Sequence, residues 1–121
     1  MTPKYDDALR GYAFGVLERD GFRCRYCGLD GTIWPNFLYL SWDHLLPRGD
    51  PRREQDERGA QAYIVAACRF CNEVHNRTPL PTEGLTPDEL VEQKRRLVQE
   101  RRGEYQAFWE AMVGGGLAHE P

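Results

Sequence analysis

Two Cys-x-x-Cys pairs, Cys24/Cys27 and Cys68/Cys71, constrain the fold of this chain more than any other sequence feature. Each pair can form a tight turn, here called a knuckle, that directs two thiolates at one point, so two knuckles can close a tetrahedral metal site. A disulfide framework fits poorly with a chain that shows no secretory leader, and a redox motif needs only one pair. Rubredoxin-type iron remains an alternative, but Asn72 instead of glycine follows the second pair, which favours zinc. Four thiolates leave no open coordination position, so we expect a structural metal that takes no part in catalysis.

A length of 121 residues predicts one domain with a small core, and a metal site often stabilises domains of this size. The first residues carry acidic side chains and no apolar segment. The longest apolar runs are far shorter than the roughly 20 residues of a membrane-spanning helix. We therefore expect a cytoplasmic protein with no membrane partner.

The charge distribution permits a polyanionic partner without demonstrating one. A formal net charge of -3 argues against nucleic acid, because Lys and Arg side chains drive phosphate binding. The acidic excess lies after residue 80, however, since residues 1–80 contain 11 basic and 11 acidic side chains. Of the 16 basic residues 14 are Arg, which binds phosphate through paired hydrogen bonds, although surface ion pairs are the alternative role.

The sequence pattern predicts an α+β fold. Helical spacing of apolar residues predicts a first helix over 5–19, and aromatic residues predict a strand over 37–42. The charge-dense stretch 52–59 is expected to be a solvated loop. A helix of about two turns is expected to begin at Asn72, and Thr86 is a strong N-cap for a long final helix.

We expect residues 1–80 to form the core, residues 81–113 a helical extension packed on it, and residues 114–121 a disordered tail. The apolar stripe of the extension is predicted to be a packing surface and consists of Leu90, Leu97, Tyr105, Phe108, Trp109 and Met112. The tryptophans are also expected to pack in the interior instead of stacking on bases; they are Trp34, Trp42 and Trp109.

An Asp-His pair lies between the knuckles and offers groups suited to hydrolysis. Asp43 is a hard oxygen ligand, and His44 is an imidazole that can take a proton near neutral pH. Alone, such a pair could be a turn at a strand end, and Asn72 could merely cap a helix. The order of the motifs is more specific: a knuckle, a strand ending in Asp-His, a loop, the second knuckle and a helix with Asn.

This order resembles the four-cysteine branch of the HNH endonucleases, in which a ββα-metal fold rests on a zinc knuckle pair. The matching stretches are residues 19–28, 43–49 and 64–72. The resemblance implies a metal-dependent DNA endonuclease in which His44 is the general base, while Asp43 and Asn72 hold one Mg²⁺ or Mn²⁺ against the scissile phosphate. Oxygen ligands suit these cations, which can stabilise the charge of the reacting phosphate. DNA is then the expected partner, and a partner protein could supply recognition.

Tyr63 departs from the family pattern, because relatives usually have their middle Asn here and use it to keep the general base in position. The Tyr63 hydroxyl or Gln61 could do a similar job. Alternatively, the chain is a catalytically weakened module that binds nucleic acid or protein. His75 and Asn76, one helical turn beyond Asn72, could add a cation ligand, with a plain surface position as the alternative for His75.

Four arginines near the motifs are candidate phosphate contacts, with plain surface exposure as the alternative. They are Arg23, Arg25, Arg48 and Arg69.

Overall fold

The computed structural model of the protein describes residues 11–74 and 78–114. These residues form a small α+β domain with a two-stranded sheet. Its elements are α1 (Phe14–Arg19), β1 (Leu40–His44), α2 (Pro51–Arg58), β2 (Ile64–Cys68), α3 (Arg69–Val74) and α4 (Pro87–Trp109). Within the described ranges, no helix is both long and apolar enough to cross a membrane.

The two strands pair antiparallel and determine where the motifs lie. Leu40 is opposite Cys68 at one end of the ladder, and His44 is opposite Ile64 at the other end. All five residues of β2 are buried, and α3 follows β2 without a break. The second knuckle therefore spans the junction between a buried strand and a helix, which gives it a well-defined geometry.

The core lies between the sheet, the first knuckle, and the helices α1 and α4. Its aliphatic part consists mainly of Val16, Leu45, Leu46, Ile64, Val65, Leu90 and Val98. Asp20, at the end of α1, connects this helix to β2, because its buried carboxylate accepts a hydrogen bond of 2.8 Å from the Ala66 backbone. The same carboxylate pairs with Arg25 in the first knuckle.

The predicted strand over 37–42 is displaced in the structure. Residues Asn36–Tyr39 form a 3-10 helix, closed by a hydrogen bond from the Leu38 backbone to Pro35, and β1 begins only at Leu40. Residues 37–39 have side chains that favour strands, but a strand also needs a hydrogen-bonded partner. In this fold β2 pairs only with residues 40–44.

The prediction of a loop over residues 52–59 is wrong, because residues 52–58 belong to helix α2. Asp50 caps the helix by accepting a hydrogen bond from the Arg52 backbone, and proline occupies the first turn. Ion pairs four residues apart, Arg53–Glu57 and Glu54–Arg58, add support. The helix buries no residue, so it lacks the apolar periodicity by which an amphipathic helix is recognised.

Helix α3 begins at Arg69, so Asn72 lies inside it and the capping role considered for Asn72 is wrong. The first helix begins only at Phe14, because residues 11–13 form a turn in which Gly11 has a φ of 67°, so the predicted helix is wrong for these residues. Its predicted start at residue 5 lies outside the described residues. The candidate ligands His75 and Asn76 and the predicted tail after residue 114 also lie outside them.

Helix α4 begins with Thr86 as its N-cap, as predicted, and Thr86 and Glu89 form a capping box by exchanging hydrogen bonds of 2.9 and 3.2 Å. Its first half packs on the core through Leu90, Val91, Lys94 and Val98. The second half of the predicted stripe is exposed, namely Tyr105, Phe108, Trp109 and Met112. Trp34 is also 72% exposed, so the packing role predicted for Phe108, Trp109, Met112 and Trp34 is wrong, whereas the Tyr105 ring packs edge-on against Phe70 with 5.4 Å between the ring centroids. The reason is geometric, since a 23-residue helix extends beyond so small a core.

Candidate functional site

The four cysteines of the two knuckles converge on one point. Their sulfur atoms all lie within 4.8 Å of one another, and only Cys27 is partly exposed. Within each knuckle a backbone N–H is directed at sulfur, from Cys27 to Cys24 and from Cys71 to Cys68, each at 3.5 Å. Such donors stabilise thiolate charge. The four cysteines are thus positioned to bind a metal ion, and the set is compatible with structural zinc.

The close approach of the four thiols shifts their pKa values in opposite directions. Hydrogen bonds from Cys27, Cys68 and Cys71 lower the pKa of Cys24. Interactions with Cys24 and then Cys27 raise the pKa of Cys71, so the sulfurs do not ionise together by themselves. A bound divalent cation removes this conflict by balancing the charge of several thiolates at once.

A cleft of about 760 Å³ lies at the end of β1. It is bounded by the residues that follow β1, by α3, by residues 78–82 and by α4. Asp43, His44 and Asn72 all line it, although Asn72 is far from the other two in sequence. The structure therefore places the three residues that were predicted to act in catalysis on the walls of one cleft.

The charged lining of this cleft is basic, in contrast to the acidic chain as a whole. Among the described residues that line the cleft, Arg48, Arg53 and Lys94 are basic, and only Asp43 carries a carboxylate. Lys94 pairs with Asp43 and Arg53 pairs with Glu57, so part of this positive charge is balanced, and Arg48 adds a further positive group that suits an anionic ligand such as a phosphate. The overall charge of -3 therefore does not describe this site.

Asp43 is buried, and its carboxylate connects β1 to the first knuckle and to α4. Its Oδ2 accepts a hydrogen bond of 2.6 Å from the Tyr26 hydroxyl and one of 3.3 Å from Lys94 Nζ. Lys94 Nζ also donates to the His44 carbonyl at 3.1 Å. Burial, followed by the Asp43 charge, raises the pKa of Tyr26, so this phenol keeps its proton. Burial also lowers the pKa of Lys94, and the Asp43 carboxylate opposes that effect.

Replacing Lys94 with Met should lower the free energy of unfolding by about 3–5 kcal/mol, the usual cost of removing one partner of a buried ion pair. Both side chains are only 7% exposed, so water can barely compensate the Asp43 carboxylate for the lost ammonium. Urea unfolding monitored by circular dichroism gives the difference. Arg96→Met is the matched control, because Arg96 lies on the same helix with a side chain that is 78% exposed. Equal stability of Lys94→Met and Arg96→Met would show that the buried pair has no structural role.

The His44 imidazole is held at one of its two nitrogens. Its Nε2 lies 2.7 Å from the Tyr12 hydroxyl and 3.1 Å from Glu57 Oε1. Burial and then the charge of Arg53 lower the pKa of His44, an effect that Glu57 opposes. Burial and then the Glu57 charge raise the pKa of Tyr12. A lowered pKa favours the neutral imidazole at neutral pH, and only this form can accept a proton.

Gln61 connects the two segments that hold His44. Its Nε2 donates to the Tyr12 carbonyl at 3.2 Å and to the Glu57 carbonyl at 3.3 Å. Gln61 has a φ of 56°, in the left-handed region that few residues other than glycine adopt. The side chain thus ties the end of α2 to the segment before α1, in line with the tethering role considered for it.

Tyr63 connects α2 to the segment after β1 through hydrogen bonds of its backbone. Its N–H donates to Asp56 Oδ2 at 2.9 Å, and its carbonyl accepts from the Leu45 backbone at 2.8 Å, next to His44 in sequence. The ring lies near the Arg52 guanidinium, which is 5.8 Å from the ring centroid, and is not part of the cleft lining. A tethering role for the Tyr63 hydroxyl stays a prediction.

Of the four predicted phosphate contacts, only Arg48 lines the cleft. Arg23 pairs with Asp30 at 3.0 Å, and Arg25 pairs with Asp20 at 3.3 Å. Arg69 is exposed at the start of α3 and does not line the cleft.

Sequence reasoning missed two basic residues of the cleft, Arg53 and Lys94, and both neighbours of the His44 ring, Tyr12 and Glu57. A signal was present for Lys94, which lies midway between Leu90 and Val98 at the four-residue spacing of a buried helix face. A charged residue at such a position needs a buried partner.

Comparisons of this chain with protein-family models, with curated proteins and with solved structures found no match. Its function must therefore be inferred from the residues that the fold brings together. Two sites are available for this: the four-cysteine cluster and the basic cleft with Asp43, His44 and Asn72.

Proposed function

We propose that the protein is a metal-dependent DNA endonuclease of HNH type, built on a ββα core with structural zinc at the four cysteines. The observation that carries the proposal is the cleft, which collects an acid, a neutral imidazole and an amide among basic side chains. The chain order is β1, α2, β2, α3, so the paired strands followed by α3 match the ββα arrangement that the resemblance implies, with α2 inserted between the strands. The four sulfur ligands support zinc as the ion that holds this core together.

In this proposal His44 acts as the general base. The neutral imidazole takes a proton from a water molecule, whose oxygen forms a bond to the scissile phosphorus. The ester bond between phosphorus and the leaving oxygen breaks, and that oxygen takes a proton from solvent. Arg48 and Arg53 line the cleft and stabilise the negative charge that the phosphate gains in the transition state.

Asp43 and Asn72 are the proposed ligands of a catalytic Mg²⁺ or Mn²⁺. Both offer oxygen donors on the cleft wall, which is the donor type these cations prefer. When bound, the cation would stabilise charge on the phosphate and on the leaving oxygen. Asp43 Oδ2 already accepts from Tyr26 and Lys94, and the Lys94 ammonium opposes a second positive charge nearby. We therefore expect the site to bind the cation weakly.

The proposal predicts that the zinc-loaded protein nicks supercoiled plasmid when Mg²⁺ or Mn²⁺ is added and does not nick it without them. Gel electrophoresis measures nicking, and elemental analysis of the same samples shows that zinc stays bound throughout. Asn72→Ala should lower the rate about 10-fold or more because a cation ligand is lost, whereas Asn72→Asp keeps an oxygen donor and most of the activity. If the folded, zinc-loaded parent protein does not nick plasmid with either Mg²⁺ or Mn²⁺, the nuclease proposal is refuted.

A module that binds nucleic acid without cutting it is the second candidate, and the Lys94–Asp43 pair favours it. This pair places a positive charge beside the carboxylate that would hold the cation. The distinguishing measurement is fluorescence anisotropy of labelled duplex DNA at several salt concentrations. Binding that weakens with salt, together with absence of nicking, would support the binding module instead of the enzyme.

A further inference from the structure

The Tyr12 hydroxyl and the Glu57 carboxylate both lie near His44 Nε2, but they differ in which protonation of that nitrogen they permit. A neutral imidazole carries one proton, either on Nε2 or on Nδ1, and the other nitrogen carries the lone pair. The Tyr12 hydroxyl can donate or accept, so it is compatible with both forms. The Glu57 carboxylate can only accept, and at 3.1 Å it would repel a lone pair on Nε2.

We propose that Glu57 is a positioning residue that keeps the His44 proton on Nε2 and thereby leaves Nδ1 as the nitrogen that takes a proton from water. The second half of this statement rests on the proposed nuclease function, whereas the first half does not. With Nε2 protonated, the N–H can donate to the Tyr12 oxygen at 2.7 Å, which orients the ring on that side, and the Glu57 carboxylate at 3.1 Å stabilises the proton by its negative charge. The nitrogen that carries the lone pair is then the same in every molecule.

Glu57 is itself held in place, as a positioning residue must be. Arg53 Nε donates to the same Oε1 at 3.2 Å, and Arg53 Nη1 donates to the Leu46 carbonyl at 3.3 Å. The Glu57 backbone carbonyl accepts from Gln61, which also bonds the Tyr12 carbonyl. Helix α2 is thus connected to the segment after β1 and to the segment before α1. Through these connections it presents one carboxylate to His44 at a defined position.

This arrangement gives α2 the task that the family resemblance assigns to the position of Tyr63. The Tyr63 ring lies near Arg52, and its backbone connects Asp56 to Leu45. The Glu57 carboxylate of α2, six residues before Tyr63, lies 3.1 Å from the imidazole Nε2. The loss of an Asn at position 63 is therefore compatible with an oriented His44.

The direct test is the tautomer of His44, measured by two-bond ¹H–¹⁵N NMR spectra of the full-length zinc-loaded protein. The spectra are recorded at about pH 8.5, well above the ordinary imidazole pKa of about 6.5, and His44→Gln identifies the His44 signals among those of the three histidines. The parent should show the proton on Nε2. Glu57→Ala should raise the Nδ1-protonated fraction at least several-fold. Glu54→Ala should not, because Glu54 lies on the same helix and pairs with Arg58 at the surface.

The kinetic test is the nicking reaction of the same variants. Glu57→Ala should lower kcat about 10- to 100-fold with little change in KM, because a misoriented base slows the chemical step without weakening DNA binding. Glu57→Asp should recover part of this loss, while Glu54→Ala should match the parent. Thermal melting and zinc content should be similar in all four proteins.

The outcomes separate this inference from the nuclease proposal. A parent with the proton on Nδ1, or a Glu57→Ala variant with an unchanged tautomer, would overturn the role of Glu57 whatever the activity. An inert parent that shows the expected tautomers would refute the nuclease and still support Glu57 as the residue that positions the His44 proton.

Discussion

Cys71→Ser should lose the bound zinc and lower the free energy of unfolding by about 5 kcal/mol or more, because structural zinc contributes apparent energies of about 10–16 kcal/mol in small zinc-binding peptides. The effect is large because the cluster joins the first knuckle, the end of β2 and the start of α3. Cys24, Cys68 and Cys71 are also part of the main hydrophobic core. A serine oxygen is a poor substitute for a thiolate ligand of zinc.

Elemental analysis and urea unfolding of the parent and the variant measure these two effects. Ala67→Ser is the matched control, since it adds a hydroxyl at a fully buried position of β2, next to Cys68, without removing a ligand. Its cost should be about 1–3 kcal/mol, the penalty for burying an unsatisfied hydroxyl, and its zinc content should be unchanged. A parent without zinc or with iron in its place would contradict the assignment. So would a Cys71→Ser variant that unfolds at the same urea concentration as the parent.

His44→Ala should reduce plasmid nicking by a factor of about 10²–10⁴, which is the usual contribution of a general base. The fold and the zinc content should not change. His44 lies at the last position of β1, opposite Ile64, and its side chain lies at the other end of the strand pair from Cys68. The rate is measured with Mg²⁺ under conditions in which the parent is active.

Two further measurements isolate the chemical role of the imidazole from its structural role. His44→Gln retains a side chain able to hydrogen-bond Tyr12 and Glu57 but has no basic nitrogen, so it should be as inactive as His44→Ala. Added imidazole should restore part of the activity of His44→Ala, because a free base of that size can enter the cleft of about 760 Å³. A His44→Ala variant that nicks DNA as fast as the parent would exclude His44 as the base.

The four-cysteine cluster and the start of α4 were predictable from the sequence because their causes are local. A Cys-x-x-Cys turn directs both of its thiolates to one side, so two such turns can converge wherever the chain brings them. Thr86 and Glu89 have the spacing of a capping box, which forms within one helical turn. The Asp-His pair was recognised from its order relative to the knuckles, and β1 does end at His44.

Helix α2 was missed because it has no buried face, and the spacing of apolar residues is the main signal by which a helix is recognised. Its start carries a local signal of the same kind as that of α4, since Asp50 caps the helix and proline occupies its first turn. Treating residues 52–59 as a loop also removed Glu57 and Arg53 from consideration. Both matter only because the sheet and the Tyr63–Leu45 hydrogen bond bring α2 against the end of β1.

The sequence by itself determined that four thiols can share a metal ion, because that depends on spacing within short turns. Only the tertiary structure decided what surrounds Asp43 and His44. Lys94 reaches Asp43 from 51 residues away, and the Tyr12 hydroxyl reaches His44 from 32 residues away. The spacing of residues in the sequence does not reveal such contacts, because they depend on how β2, α2 and α4 pack around β1. The orientation of the imidazole and the charge of the cleft are therefore properties of the packed domain.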